Sequence, residues 1–408
     1  MGFDRGDTGV PFGFPTETIK EGAVEIVVPR LEAFKRAVWD YAPSRAPVFY
    51  NPLMKVNRDV AVLTLKTYQK IIGRGLSVSE PLTGCGVRGI RFAIEVDGLC
   101  EVHLNDINPE AYKMTQHNIQ LNGLANRVFV TNEDANLFLD RHAAPRKRFD
   151  YIDVDPFGTP VTYLDSAARA MRDGGLLALT ATDLAPLCGV HPRSALRKYG
   201  GLPLRTEYCH ETAVRLVAGC LAMTAARHEI GVSIKLSHST AHYVRVYALT
   251  RYGAKRTDES VQRMGYILHC FTCFHRELFS GTMPPSKERC SECGSPMRTA
   301  GPLWLGEIAE KSFCELAVGE ATSSDIEQKR EAVKMLALIA AESEEPTTYY
   351  VVDSICDRLN LSVPSVGSII EKLREMGFHA SPTHFHTRGI KTDAPAKTVT
   401  ETVKDAAK

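Results

Sequence analysis

A carboxylate, a proline carbonyl and an aromatic ring stand together where a short apolar stretch ends. The stretch Tyr151–Val154 gives way to Asp155, Pro156, Phe157 and Gly158. A proline disfavours helical geometry in the residue before it, and Pro-Phe-Gly then favours a turn. The pattern predicts a β-strand with Asp155 at its carboxyl end, which is the edge where open α/β sheets bind ligands.

These three groups suit catalysis on a flat ring that bears an amino group. The amino nitrogen of a nucleobase is a poor nucleophile because its lone pair is delocalised into the ring. The Asp155 carboxylate and the Pro156 carbonyl can accept its hydrogens, while Phe157 stacks on the base, a contact worth about 1–3 kcal/mol. The alternative is an ordinary Asp-Pro turn that closes a strand.

A glycine loop lies upstream, between a strand predicted at Leu76–Glu80 and a helix predicted to start near Ile90. Gly84 and Gly86 let the backbone approach a ligand closely, and the helix N-terminus offers unpaired N–H groups. The spacing E-x-x-x-G-x-G is neither the GxGxxG fingerprint nor a P-loop. Such a loop alone is equally well explained as a tight turn.

Two further acids follow predicted strands. Asp106 ends the strand Glu101–Asp106, about 20 residues after the glycines, where a carboxylate can accept both hydroxyls of a ribose. Asp134 follows the strand Arg127–Thr131 and is placed to reach the edge of an adenine ring. Each acid alone is explained as a helix cap or a solvated loop residue. A series of acids, each at the end of one of several successive strands, is hard to obtain by chance.

Together these features resemble a class I S-adenosylmethionine-dependent methyltransferase, and more narrowly the tRNA guanine-26 N2-dimethyltransferase family in its archaeal form. The segments that carry the resemblance are Pro47–Pro52, Asn57–Asp59, Gly86–Phe92, Leu104–Asp106, Asp153–Gly158, Thr180–Asp183, Pro186–Gly189, Thr383–Phe385 and Gly389–Thr392. The family implies a Rossmann-like α/β sheet, S-adenosylmethionine as methyl donor, and dimethylation of N2 of guanine 26 in tRNA.

The resemblance also implies roles for individual residues. With the glycine loop, the residues that would contact the methyl donor are Arg58, Gly84, Gly86, Arg88, Asp106, Asp134 and Ala135. Asp155 would be the catalytic acceptor, and Phe49, Pro156 and Phe157 would hold the target guanine. Guanidinium forks match carboxylates, so the two arginines suit the carboxylate of the donor. Without the family, both would be interpreted as structural ion pairs, and Phe49 as core packing.

Four cysteines predict a metal site. Cys270 and Cys273 form one C-x2-C pair, and Cys290 and Cys293 form another after sixteen intervening residues. This spacing can place four thiolates tetrahedrally around Zn²⁺, and four cysteine ligands leave no open position, which indicates a structural site. The segment has little apolar material, so the metal would supply folding energy. The alternative is a redox pair or free thiols.

The length of 408 residues suggests two or three domains. We predict an N-terminal arm and helix over 1–75, the methyltransferase domain over 76–252, and an α+β tRNA-binding domain over 253–408 with the zinc knuckle at about 266–300. Within the last domain, Thr347–Leu359 and Ser365–Met376 indicate helix-turn-helix, and Phe378–Phe385 a strand. That layout resembles a winged helix, and the alternative is a helical cap on the core. The tail from Pro395 is predicted to be frayed.

The composition restricts the class of protein and its expected cellular location. No apolar run approaches the roughly 18 residues of a membrane span, and the N-terminus carries no signal-peptide pattern, so a cytoplasmic protein with reduced cysteines is expected. The net charge is only +1, but a basic patch suffices for tRNA binding. The candidate patch, between positions 184 and 206, contains Arg193, Arg197, Lys198 and Arg205. The sequence implies no obligate protein partner.

Two other functions stay open from the residues alone. An amino-methyltransferase of DNA adenine or protein glutamine would have a similar site, but those families usually show Asn/Asp-Pro-Pro-Tyr/Phe, whereas Phe157 directly follows a single proline. A non-enzymatic nucleic-acid binder with a decayed α/β domain would not be expected to keep the glycine loop together with Asp106, Asp134 and Asp155.

Overall fold

The computed structural model describes residues 12–35, 43–240 and 242–407. The chain divides into two compact units, one within Met1–Phe138 and Ser324–Lys329, the other within Leu139–Ser323 and Arg330–Lys408. The predicted division at residues 75 and 252 is a different partition and stays a prediction.

The strands up to residue 141 are β1 (Thr16–Glu21), β2 (Val24–Pro29), β3 (Leu76–Glu80), β4 (Leu99–Asn105) and β5 (Val128–Thr131). The helices in this part are α1 (Lys55–Ile72), α2 (Val87–Glu95), α3 (Pro109–Leu121) and α4 (Ala135–Arg141). Short 3-10 helices cover Leu31–Phe34 and Pro52–Met54.

The strands that follow are β6 (Phe149–Val154), β7 (Met171–Ala181), β8 (Ile230–Thr240), β9 (Tyr243–Tyr252), β10 (Met264–His269), β11 (Arg276–Ser280), β12 (Arg298–Trp304), β13 (Tyr350–Val351), β14 (Ala380–Pro382) and β15 (Gly389–Thr392). The helices are α5 (Leu164–Ala170), α6 (Leu184–Leu187), α7 (Pro192–Tyr199), α8 (Cys209–Ala226), α9 (Ala254–Val261), α10 (Lys311–Ser323), α11 (Lys329–Glu342), α12 (Val352–Leu359), α13 (Val366–Glu375) and α14 (Ala396–Ala406), with a 3-10 helix at Val161–Tyr163.

A mixed seven-stranded sheet has the strand order β5-β4-β3-β6-β7-β9-β8. The neighbours β3 and β4, β4 and β5, and β6 and β7 are parallel, whereas β9 is antiparallel to both β7 and β8. Strands β3 and β6 are buried along their whole length, as is typical of parallel strands covered on both faces. The predicted α/β class is confirmed.

The predicted N-terminal arm contains a β-hairpin. Strands β1 and β2 pair antiparallel, and Gly22 has a positive φ of 57° in the turn between them. The Asn118 side chain of α3 bonds both the N–H and the carbonyl of Val27 on β2, which fixes the hairpin to the α/β unit. Residues 1–11 and 36–42 of the predicted arm lie outside the described residues.

Two smaller antiparallel sheets lie in the C-terminal part. One has the order β11-β10-β12, and the other has the order β13-β15-β14. The helix predicted from Thr347 begins only at Val352, because Tyr350 and Val351 pair with β15 instead. Helices α9 and α10 are not foreseen from the sequence. Among the described helices, none has the length and apolar character needed to cross a membrane.

The prediction that the tail is frayed is wrong. Helix α14 buries Ala396, Val399 and Val403, whose spacing of three or four residues puts them on one face. This face joins a core with Ile369 and Leu373 of α13. Lys397 and Lys404 of this helix are exposed, whereas Thr402 is buried with the apolar residues.

Candidate active site

The loop between β3 and α2 depends on its glycines. Gly84 and Gly86 have φ of 59° and 81°, a region that residues with a side chain rarely adopt. A Cβ on Gly86 would lie 2.8 Å from Cγ2 of Thr115, and a Cβ on Gly84 would lie 3.0 Å from the carbonyl oxygen of Phe49. Both positions therefore need glycine for conformation and for space, and the half-buried Phe49 adjoins the loop.

Glu80 holds this loop from the end of β3. Its Oε2 accepts hydrogen bonds from the Thr83 hydroxyl at 2.8 Å and from the Gly89 N–H at 3.0 Å. The side chain of Arg88 approaches the other oxygen, with its Nε 3.8 Å from Oε1. In the sequence, Glu80 stands out only as a strand end, although an acid directly before a glycine loop is a usable signal.

Asp106 is fixed beside the loop. One carboxylate oxygen accepts the Gly84 N–H at 2.8 Å, and the other accepts the Asn108 N–H at 2.9 Å. Burial raises the pKa of Asp106, and the two N–H donors offset only part of this effect. Because a carboxylate oxygen can accept more than one hydrogen bond, the half-buried group keeps capacity for ligand hydroxyls.

Asp134 follows β5, as predicted, and caps α4. Its Oδ1 accepts the N–H groups of Asn136 and Leu137 at 2.9 and 3.2 Å. The side chain is exposed, while Ala135 at the start of the helix is buried. The carboxylate is thus held in place by the helix N-terminus that it caps.

The two arginines expected to meet a carboxylate are paired within the first unit. Nε and Nη2 of Arg58 bond the two carboxylate oxygens of Glu21 at 2.5 and 2.7 Å, and Nη1 donates to the Asn51 carbonyl at 3.2 Å. Nη2 of Arg88 donates to Oδ1 of Asn57 at 2.9 Å. Both arginines are buried. Their contact with the carboxylate of a donor stays a prediction.

Glu21 belongs to a buried charge cluster that no local pattern in the sequence reveals. Arg91 lies 3.2 Å from Glu21, 2.6 Å from Asp59 and 2.7 Å from Glu95. Burial raises the pKa of Glu21, but Arg58 and Arg91 outweigh burial and lower it. The cluster joins the hairpin, α1 and α2, which are far apart in sequence.

In the second unit, β6 ends at Val154 and the turn follows as predicted. Asp155 is half-buried and Pro156 is buried, whereas the Phe157 side chain is 69% exposed. A base can reach an aromatic side chain that is this exposed at a turn.

The end of β7 holds this turn. The Gly158 N–H donates to the Thr182 hydroxyl at 2.8 Å, and the Thr182 N–H donates to the Gly158 carbonyl at 2.8 Å. The neighbouring Asp183 accepts hydrogen bonds from Lys198 at 2.8 Å and from the Tyr199 hydroxyl at 2.5 Å. Helix α7 is thereby tied to the turn. In the sequence, Thr182 and Asp183 stand out only as part of a matching segment.

A buried ion pair supports the same strand end. Asp153 and Arg245 are both fully buried and paired, and the Tyr151 hydroxyl donates to Asp153 at 2.9 Å. Burial lowers the pKa of Arg245, but Asp153 and its neighbours outweigh burial and raise it well above its usual value. Asp155 contributes in the same direction, which places it within electrostatic reach of the Arg245 guanidinium.

The four predicted cysteines come together in the second unit. The Sγ atoms of Cys270 and Cys293 lie 3.5 Å apart, and those of Cys273 and Cys290 lie 3.6 Å apart. Four thiolates bound tetrahedrally at about 2.3 Å from Zn²⁺ are about 3.8 Å from one another. The geometry therefore fits the predicted zinc site.

Both cysteine pairs form the same turn. The N–H of Phe274 bonds the Cys270 carbonyl, and the N–H of Gly294 bonds the Cys290 carbonyl, each at 3.0 Å. Phe274 and Gly294 have φ of 63° and 71°. This repeated turn points two thiols of each pair to one side, as zinc knuckles require.

Comparisons with known proteins extend over almost the whole chain. The model of a family described as N2,N2-dimethylguanosine tRNA methyltransferase matches residues 22–404. A curated relative from Methanothermobacter thermautotrophicus, named tRNA (guanine(26)-N(2))-dimethyltransferase, is 41% identical over 377 residues, which cover 92% of this chain and 96% of that protein. The protein of the same name from Methanobrevibacter smithii is 39% identical, with coverage of 96% and 98%.

One solved structure is similar along its full length. It is the complex of Trm1 from Pyrococcus horikoshii with S-adenosyl-L-methionine, which is 34% identical and superimposes with a TM-score of 0.83. The match covers 95% of this chain and 99% of that one. A relative from Aquifex aeolicus, 35% identical over 92% of this chain and 93% of its own length, is named tRNA (guanine(26)-N(2)/guanine(27)-N(2))-dimethyltransferase.

Proposed function

The chain belongs to the N2,N2-dimethylguanosine tRNA methyltransferase family, and we propose that it transfers methyl groups from S-adenosylmethionine to N2 of the guanine at position 26 of tRNA. The observation that carries the proposal is the turn after β6, where a half-buried Asp155 adjoins an exposed Phe157 ring. Family membership supports the identity of the base and the addition of two methyl groups.

Residues of the first unit fit the methyl donor. The Asp106 carboxylate, oriented by the loop N–H groups, would accept the ribose hydroxyls. Gly84 and Gly86 let the backbone approach the donor without a side chain in the way. Asp134 and Ala135 would contact the adenine, and Arg58 and Arg88 the carboxylate of the donor.

Residues of the second unit fit the acceptor. Phe157 would stack on the guanine. The family resemblance adds Phe49, a residue of the first unit, as a further proposed contact to the base. Asp155 and the Pro156 carbonyl would accept the hydrogens of the amino group, so that the nitrogen lone pair becomes available for attack. S-adenosylmethionine supplies an activated methyl group, so no metal is needed for the transfer. The bond from sulfur to the methyl group would break with S-adenosylhomocysteine as the leaving group, and Asp155 would take up the proton that the amine loses. A second transfer to the same nitrogen would follow once Asp155 has released this proton to water and a second donor has bound.

The first test is the variant Asp155→Ala. We expect turnover to fall by about 10²–10⁴-fold or more, the range for removal of a positioned proton acceptor, while donor affinity is kept. Labelled methyl transfer to tRNA, with DNA and protein as competing substrates, measures turnover, and calorimetry measures donor affinity.

A matched control is Asp258→Asn, which removes an exposed acid of α9 in the same unit and should leave turnover unchanged. Normal methylation by Asp155→Ala would refute the assigned role. Nucleoside analysis of the product tRNA identifies the base and the number of methyl groups.

We also propose that residues 253–408 bind tRNA by contacts to its phosphates and by recognition of its shape. The proposed location of the protein is the cytoplasm. The order β13-β15-β14, with α12 and α13 between β13 and β14, supports a winged-helix arrangement. The cysteine cluster supports a structural Zn²⁺ in the same part of the chain.

For the zinc proposal, we expect Cys290→Ser to lose one zinc ion per chain and to lower the unfolding midpoint, because metal binding supplies folding energy. Cys356→Ser is the matched control, since Cys356 is a buried thiol of α12 outside the cluster. Elemental analysis together with thermal unfolding gives the answer. Unchanged zinc content in Cys290→Ser would contradict the site.

A further inference from the structure

A second group of metal-ligating side chains lies in the second unit. Cys188 follows α6, and Cys209 and His210 begin α8. One ligand atom from each residue lies within 4.8 Å of the other two. Within the described residues, this group and the four-cysteine cluster are the groups of at least three cysteine, histidine or acidic side chains with that geometry.

We propose that Cys188, Cys209 and His210 bind a second Zn²⁺. Two thiolates and one imidazole are ligands that zinc prefers, and three protein ligands leave the fourth position of the tetrahedron to water. Sγ of Cys188 lies 4.0 Å from Nδ1 of His210. The corresponding sulfur–nitrogen distance in a tetrahedral zinc site is about 3.6 Å, which a small side-chain rotation reaches.

The surroundings of His210 are compatible with a metal at Nδ1. The hydroxyl of Ser239 lies 3.2 Å from this nitrogen and 3.5 Å from the carbonyl of Tyr243. When a metal occupies the nitrogen, the hydroxyl can donate to the carbonyl, so no polar group loses its partner. All three ligand residues are half-buried, which leaves a path for the metal.

The position of the group in the chain indicates what the metal would do. Cys188 and Cys209 bracket about 20 residues that include α7 and the exposed side chains of Arg193, Arg197 and Arg205. A metal that joins the two ends of this segment restricts the conformations available to it. Thr182, which bonds Gly158 in the turn after Asp155, stands six residues before Cys188. The metal would therefore hold the two ends of the candidate basic patch close together, next to this turn.

The experiment is a zinc count on the full-length protein, reconstituted with Zn²⁺ and freed of unbound metal. We expect two zinc ions per chain in the unaltered protein, one in the double variant Cys188→Ser, Cys209→Ser, and one in Cys290→Ser. Cys220→Ser is the matched control, because Cys220 is another half-buried thiol of α8 that lies outside the group, and it should keep both ions.

One zinc ion per chain in the unaltered protein, lost in Cys290→Ser and kept in the double variant, would overturn the proposal. So would a disulfide between Cys188 and Cys209, detected by mass spectrometry of the alkylated, unreduced protein. The count in the unaltered chain and in Cys290→Ser decides the question even if the double variant fails to fold.

Discussion

The side chain of Asp153 supports the strand end that leads to Asp155, the proposed catalytic acceptor. It lies two residues before Asp155 and forms a fully buried ion pair with Arg245. Such pairs add little net stability over an apolar pair of similar size, because desolvation offsets attraction. Breaking one by removing a single partner is nevertheless costly, because the other charge stays buried.

We therefore predict that Asp153→Asn lowers the free energy of unfolding by about 3–5 kcal/mol. Tyr151→Phe is the control, since it removes only the hydroxyl that donates to Asp153 at 2.9 Å and should cost about 1 kcal/mol. Urea unfolding of the two variants gives both values. Equal losses would mean that the Arg245 charge does not depend on Asp153.

Among the elements, the loop between β3 and α2 is constrained by its glycines. Gly86 combines a positive φ with a lack of space, since an added Cβ would meet the Thr115 side chain of α3. Gly123, at the end of α3, has a similar φ of 66°, but nothing lies within 4 Å of its Cβ position. Substitution of Gly123 therefore measures the cost of backbone strain alone, and substitution of Gly86 measures strain together with steric conflict.

We expect Gly123→Ala to cost about 1–2 kcal/mol from strain alone, and Gly86→Ala to cost more and also to weaken S-adenosylmethionine binding. Thermal unfolding and calorimetry of both variants measure these effects. If Gly86→Ala bound the donor as tightly as the control, the loop would not be part of the donor site.

On the scale of the second unit, a buried charge cluster connects α8 to the C-terminal sheet. Lys391 of β15 lies 3.0 Å from Glu211 of α8 and 3.9 Å from Glu342 of α11. Burial raises the pKa of Glu211, but Lys391 and Arg215 outweigh burial and bring it to about 2. The three elements are therefore held together by charges as well as by apolar packing.

The depressed pKa predicts the acid limit of stability. Because the Glu211 pKa is lower in the folded protein, its contribution is fully present above its unfolded value, near 4.5, and disappears as the pH falls towards 2. The shift corresponds to about 3 kcal/mol. Denaturant unfolding measured between pH 6 and pH 2 should show this loss, and a flat profile would contradict it.

Removal of the cation gives a second test of the cluster. Lys391→Met removes the ammonium group that lies between the buried carboxylates of Glu211 and Glu342. We expect the free energy of unfolding to fall by about 3–5 kcal/mol near neutral pH and to depend less on acid pH than in the unaltered chain. Lys311→Met is the control, because Lys311 forms an exposed pair with Glu344 and its loss should change stability little. Equal stability of the two variants would mean that the cluster is not cooperative.

Much of the candidate site follows from local sequence. The turn at Asp155, the loop glycines and the paired cysteines are recognisable because proline, glycine and short spacings restrict the backbone within a few residues. The family resemblance, carried by segments in order along the chain, is confirmed by the comparisons. The α/β class follows from the alternation of strands and helices.

Only the tertiary structure decided which partners the charged and polar side chains meet. Arg58 bonds Glu21 from 37 positions away, and Asp153 pairs with Arg245 from 92 positions away. Cys188 lies close to Cys209 and His210 although a segment that includes α7 separates them in sequence. The tail becomes helical because α13 offers its apolar face a core to enter. Dihedral preferences are properties of neighbouring residues, whereas burial and charge pairing depend on elements that meet only when the whole chain has folded.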